Sequence, residues 1–111
     1  MVAPIDAKAF LDVEGERFEL AMNMRTFALA KQAGFNFFAM KAGDQLDPFD
    51  LATILKAFAT PAHPDMTEDV AFAIAVRHAE ALGGTIQKMS EEFGAQVKAG
   101  ETHPPKARQR K

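Results

Sequence analysis

The chain has 111 residues, 48% hydrophobic and 25% charged, which makes one ordinary core and excludes wholesale disorder. It contains no cysteine, so disulfides, thiolate metal sites and cysteine nucleophiles are excluded, and no apolar run nears the roughly 20 residues of a membrane-spanning helix. Residues 1–100 carry nine Lys/Arg against fourteen Asp/Glu, net −5, and residues 101–111 carry four against one, net +3; an acidic body lacks the positive face that nucleic acid requires. The first residues show no charged-then-apolar secretion signal, and the expectation is a soluble cytoplasmic protein.

Residues 7–22 read as a β-hairpin. With Glu14-Gly15 as a two-residue turn, Val13 faces Glu16, Asp12 faces Arg17, Leu11 faces Phe18, Phe10 faces Glu19 and Ala9 faces Leu20. Ala9, Leu11, Phe18 and Leu20 then share one face, and a one-residue slip would scatter them. Gly15 supplies the positive φ of such a turn. Glu14 is a weaker first turn residue than Asn, and a longer loop is the alternative.

Helical signals follow. Asn23 caps a helix over about residues 24–33, with Gly34 as its terminator. The most apolar stretch, Gly34-Phe35-Asn36-Phe37-Phe38-Ala39-Met40, predicts a short helix over about 36–42. Asp47-Pro48 opens a helix over about 48–59, with Leu51, Ile54, Leu55 and Phe58 at helical spacing. Thr60-Pro61-Ala62-His63-Pro64 is a loop. The cap-then-Glu pattern of Asp65-Met66-Thr67-Glu68 predicts a helix over about 66–82 with Val70, Ile74, His78 and Leu82 in one stripe. Gly83-Gly84 is expected to end it, and a last helix, about 85–99, buries Ile86, Met89, Phe93 and Val97. Residues 101–111 read as a disordered basic tail. The fold class is α+β: an N-terminal β-hairpin packed with four to five α-helices, mainly helical, in one domain over residues 1–100.

Chemistry-bearing patterns are few. His63, His78 and His103 have no metal-ligand spacing, and His78 reads as a partly buried, hydrogen-bonded side chain. Asp47 and Asp50 suit a helix N-terminus better than a calcium loop. Ser90 lies mid-helix without the strained elbow of a nucleophile. Helices 48–59 and 66–82 make a poor helix-turn-helix, because Arg77 is the only basic residue of the second. No catalytic residue, metal site or cofactor is expected. Ten Phe and six Met, with no Tyr or Trp, provide apolar surface without polar handles. Phe35, Phe37, Phe38 and Met40 are the candidate partner-binding residues. On a helix Phe35 and Phe38 share the buried face, which leaves Phe37 exposed.

The order of these elements resembles that of a known family. The hairpin Val13-Glu14-Gly15-Glu16-Arg17-Phe18-Glu19-Leu20 leads into a helix ending Ala33-Gly34. The acidic-Pro start Asp47-Pro48-Phe49-Asp50 opens the run Leu51-Ala52-Thr53-Ile54-Leu55-Lys56-Ala57-Phe58. Thr67-Glu68-Asp69-Val70 and a terminal Glu91-Glu92-Phe93 follow. Over about residues 10–93 the chain resembles the small tail assembly chaperones of long-tailed phages and gene transfer agents. It departs from their pattern at Lys31-Gln32, where related sequences often carry an acid. The resemblance implies a protein of the bacterial host cytoplasm, without catalysis or cofactor, whose partners are the tape measure and tail tube proteins. Nucleic acid and membrane are not among the partners, and self-association is compatible with the role. The alternatives are a structural virion component, such as a tail tube or connector subunit, and a small host protein-binding or regulatory domain. Tail tubes are usually β-built, which counts against the first of these.

Overall fold

Two left-handed residues, Glu14 (φ 50°) and Gly15 (φ 79°), turn the chain in the computed structural model, which describes residues 2–40 and 46–101. This is the two-residue turn whose twist matches that of paired strands. It joins β1 (Ala7–Val13) to β2 (Glu16–Met22) in an antiparallel two-stranded sheet, with Leu11 opposite Phe18 and Asp12 opposite Arg17, the register read from the sequence. The inner face carries Ala7, Leu11, Val13, Leu20 and Met22, all buried, with Ala9 and Phe18 partly covered. On the outer face Arg17 forks onto Asp12 at 2.8 and 3.2 Å and lies 4.8 Å over the Phe10 ring.

Among the described residues four α-helices follow: α1 (Met24–Gln32), α2 (Pro48–Ala59), α3 (Glu68–Arg77) and α4 (Ala79–Glu101). Asn23 opens α1 with a reciprocal cap, its Oδ1 accepting from the Thr26 amide while Thr26 Oγ1 accepts from the Asn23 amide, both at 3.0 Å. Gly34, at φ 106°, ends it in the left-handed conformation expected there. Asp47 caps α2 by accepting from the Asp50 amide at 2.8 Å, with Pro48 in the first turn. The apolar spacing of α2 buries Leu51, Ile54, Leu55 and Phe58. In this arrangement α4 packs on β1, α2 packs on β2, and α1 and α3 flank α2. Among the described residues no helix is long and apolar enough to cross a membrane.

Three expected helices have other bounds. The helix expected over 36–42 is a single 3-10 turn, Phe37–Ala39, and residues 41–45 lie outside the described residues. The helix expected over 66–82 begins at Glu68, because Thr67 rather than Asp65 accepts the first-turn amide, from Val70 at 3.2 Å. It stops at Arg77, where His78 leaves helical geometry at φ −129° and ψ 40°. Its buried stripe is Ala71, Ile74 and Ala75, with Val70 exposed.

The third departure is at Gly83-Gly84, which do not end a helix. They lie inside α4, which starts at Ala79 and replaces the helix expected over 85–99. Continuity places Leu82, Ile86 and Met89, all buried, on one stripe with the partly buried Phe93. Burying a side chain such as Leu82 in that register contributes roughly 1.5–3 kcal/mol, against about 1 kcal/mol for each helical glycine. Of the tail expected over 101–111, Glu101 is helical, and residues 102–111 lie outside the described residues.

Two measurements check this account. A Cβ at Gly83 or Gly84 meets nothing within 4 Å, so Gly83→Ala and Gly84→Ala should each raise unfolding stability by about 0.5–1 kcal/mol. A destabilised pair would place a break in the helix there. Gly15→Val forces a β-branched residue into positive φ and should lower stability by about 1–2 kcal/mol in urea titration.

Candidate functional site

Phe27, on α1, is the centre of an aromatic cluster. Its ring lies 5.4 Å from Phe37, 4.7 Å from Phe38, 5.9 Å from Phe58 and 5.3 Å from Phe93. The 3-10 turn is held in place by local bonds. The Phe35 amide donates to the Ala30 carbonyl at 2.9 Å, and Asn36 Oδ1 accepts from the Phe38 amide at 3.1 Å. Capped in this way, the turn directs Phe37 inward, partly buried against Phe58, and leaves Phe38 outside with 68% of its surface exposed.

The expected roles of the two rings are therefore reversed. An α-helical spacing would have buried Phe38 and exposed Phe37, but a capped 3-10 turn has a different angular step. Phe35 is half-buried beside Phe37, with ring centroids 6.1 Å apart, and Met40 is exposed. The four sequence candidates thus separate into two that complete the core and two, Phe38 and Met40, that face solvent.

Residues not singled out in the sequence complete the outer surface. Met24, at the first turn of α1, is 86% exposed. With Ile5, Phe27, Phe38 and Phe93 it lines an open groove of about 750 Å³. The signal was the three-residue spacing of Met24 and Phe27, which sets both on one side of α1. Phe93 reached the groove only through the fold, from the far end of the chain. A second groove, about 510 Å³, lies between α1, α2 and α3, with the Phe49 and Phe72 rings 5.3 Å apart and Glu68 and Asp69 at its rim.

The polar groups nearest the hairpin have structural partners. His78 Nε2 meets Glu14 Oε2 at 2.7 Å, with Arg77 3.6 Å from the same oxygen. His78 is thus the partly buried, hydrogen-bonded side chain expected, with its partner at the hairpin tip. The hydrogen bond with His78, aided by the Arg77 charge, holds the Glu14 carboxyl below its ordinary range. His63 Nε2 accepts from the Glu19 amide at 3.0 Å while its ring meets the Phe18 ring edge-on at 5.3 Å. Among the described residues no three of His, Asp and Glu converge to hold a metal ion.

The chain matches no family model, no curated protein and no solved structure. The functional reading therefore rests on the site's own geometry and on the order of the sequence motifs.

Two substitutions separate core from surface. Phe37→Ala should cost on the order of 2 kcal/mol, a partly buried large-to-small change. Phe38→Ser should cost less, about 1 kcal/mol, the scale of the half-exposed ring contacts with Phe27 and Phe93 that it loses. The hairpin tip gives a pH test. A carboxyl with a lower pKa folded than unfolded contributes stability above the unfolded value, near 4.5, and loses it as pH falls through the folded value. Glu14→Gln should lower the melting temperature at neutral pH, and the gap to the unaltered chain should close on acidification.

Proposed function

We propose that this protein is a non-catalytic tail assembly chaperone of the phage type, which holds helical segments of a tape measure protein and assists tail tube assembly in the bacterial cytoplasm. The observation that carries the reading is the Phe38 groove: Phe38 and Met24, both exposed, line it together with the rings of Phe27 and Phe93. Large apolar side chains exposed together lower solubility, and their common use is to be covered by a partner. Methionine and phenylalanine adapt to varied apolar faces without demanding hydrogen bonds, which suits a client whose helices differ along its length. An amphipathic helix laid in an open groove is the matching mode of recognition. The order of motifs, from the hairpin to the Asp47-Pro48 helix start, points to the same family. No cofactor, nucleic acid or membrane enters this mechanism.

The test is co-expression with a tape measure protein encoded beside this chain, followed by co-purification and thermal melting. Met24→Ser with Phe38→Ser should reduce recovery of the client by about tenfold, which is about 1.4 kcal/mol of binding, while the melting temperature falls by less than about 10 °C and the chain stays folded. Full recovery with the doubly substituted chain would remove the groove from the reading. Finding the chain at high copy in finished particles would replace it with a structural virion component.

A further inference from the structure

The hairpin has two edges, and the rest of the molecule treats them differently. A two-residue turn makes Val13 and Glu16 a hydrogen-bonded pair, and alternation makes pairs of Leu11 with Phe18, Ala9 with Leu20 and Ala7 with Met22. The intervening residues aim their backbone N–H and C=O groups away from the sheet. On β2 these are Arg17, Glu19 and Ala21, and the edge is stopped where His63 takes the Glu19 amide. On the β1 side the alternation reaches Asp6, whose amide and carbonyl are both taken by the Gln96 side chain of α4. Between Asp6 and the turn, the outward backbone groups of Lys8, Phe10 and Asp12 have no hydrogen-bond partner among the described residues. All three side chains are exposed, Phe10 at 53%.

We infer that this edge of β1 docks a second copy of the chain, antiparallel and two-fold about Phe10, into a continuous sheet of order β2–β1–β1–β2. The inference follows from the order of charges. About a two-fold axis at Phe10, the ring of one copy stands opposite the same ring of the other. Lys8 then stands opposite the second copy's Asp12, and Asp12 opposite its Lys8. The residues that face one another are those with free outward N–H and C=O groups, so each facing pair exchanges two backbone hydrogen bonds. Opposite charges directly across strands stabilise the pairing, and like charges oppose it. A lone edge lysine guards a strand against indiscriminate pairing. Here the guard is satisfied by a partner with an acid four residues further on, which this strand supplies. None of Lys8, Phe10 and Asp12 lines the Phe38 groove, so this inference stands apart from the client reading.

The experiment is sedimentation velocity of the full chain from micromolar to millimolar concentration, with amide exchange measured across the same range. The expected result is a reversible dimer in which the amides of Lys8, Phe10 and Asp12 gain protection with concentration. Lys8→Glu and Asp12→Lys each place like charges opposite one another at both ends of the paired edge. Each alone should weaken the homodimer on the order of tenfold, the combined scale of two cross-strand charge pairs. Mixed together, the two variants restore attraction at both positions and should form a heterodimer tighter than either homodimer. A monomer at every concentration, a dimer that leaves these amides unprotected, or a mixture no tighter than its components would each overturn the inference. Should either variant fail to fold, the protection pattern of the unaltered chain decides alone.

Discussion

The register of one tight turn governs this fold. Because Glu14 and Gly15 close the hairpin with two residues, every side chain of both strands is assigned to a face, and a slip by one would turn the core face outward. The inner face is then broad enough to receive α4 and α2 side by side, and those helices supply most of the large buried side chains. The same register directs the Glu19 amide to His63 and brings Glu14 to His78. Loop and helix junction are thereby tied to the sheet by hydrogen bonds. The hairpin acts as a template on which the rest of the chain is positioned.

The second constraint is a surplus of phenylalanine. Ten rings in 111 residues exceed what a core of this size encloses, and small domains bury a modest fraction of their surface. Phe58 is fully buried, Phe27, Phe35, Phe37 and Phe93 half enclose one another, and Phe38 and Phe49 remain in solvent. The apolar grooves are the margin of the core, where packing stops before the aromatic residues run out. A partner that covers such a margin extends packing already begun, and that is the physical basis of the chaperone reading.

Local and tertiary preferences disagree most clearly around His78. The residues through Gly83-Gly84 contain their strongest helix breakers in the second turn of α4, whereas the actual break falls at a histidine with no such tendency. Tertiary packing decides the matter: Leu82 joins the stripe of Ile86 and Met89 only if the helix runs through the glycines. His78 reaches Glu14 at the point where the backbone leaves helical geometry. Glycines 83 and 84 have open space around them, so close packing does not explain their presence, and nothing in the structure assigns them another role.

What the sequence determined by itself were the features set by near neighbours along the chain. The turn at Gly15, the caps at Asn23 and Asp47 and the stop at Gly34 depend on contacts within a few residues, and the strand register follows from that turn and the alternation beside it. Their patterns are accordingly legible in order. The candidate site was legible only in composition: the crowding of Phe35, Phe37, Phe38 and Met40 marked the region but not which ring faces out. That choice depended on Phe27 and Phe58, whose positions follow from how α1 and α2 pack, and on a 3-10 turn too short to announce its period. Phe93 joined Met24 in the same groove from the far end of the chain. Only tertiary structure decided these, because the energy that orients a ring comes from the surfaces it meets, and those surfaces are assembled by folding.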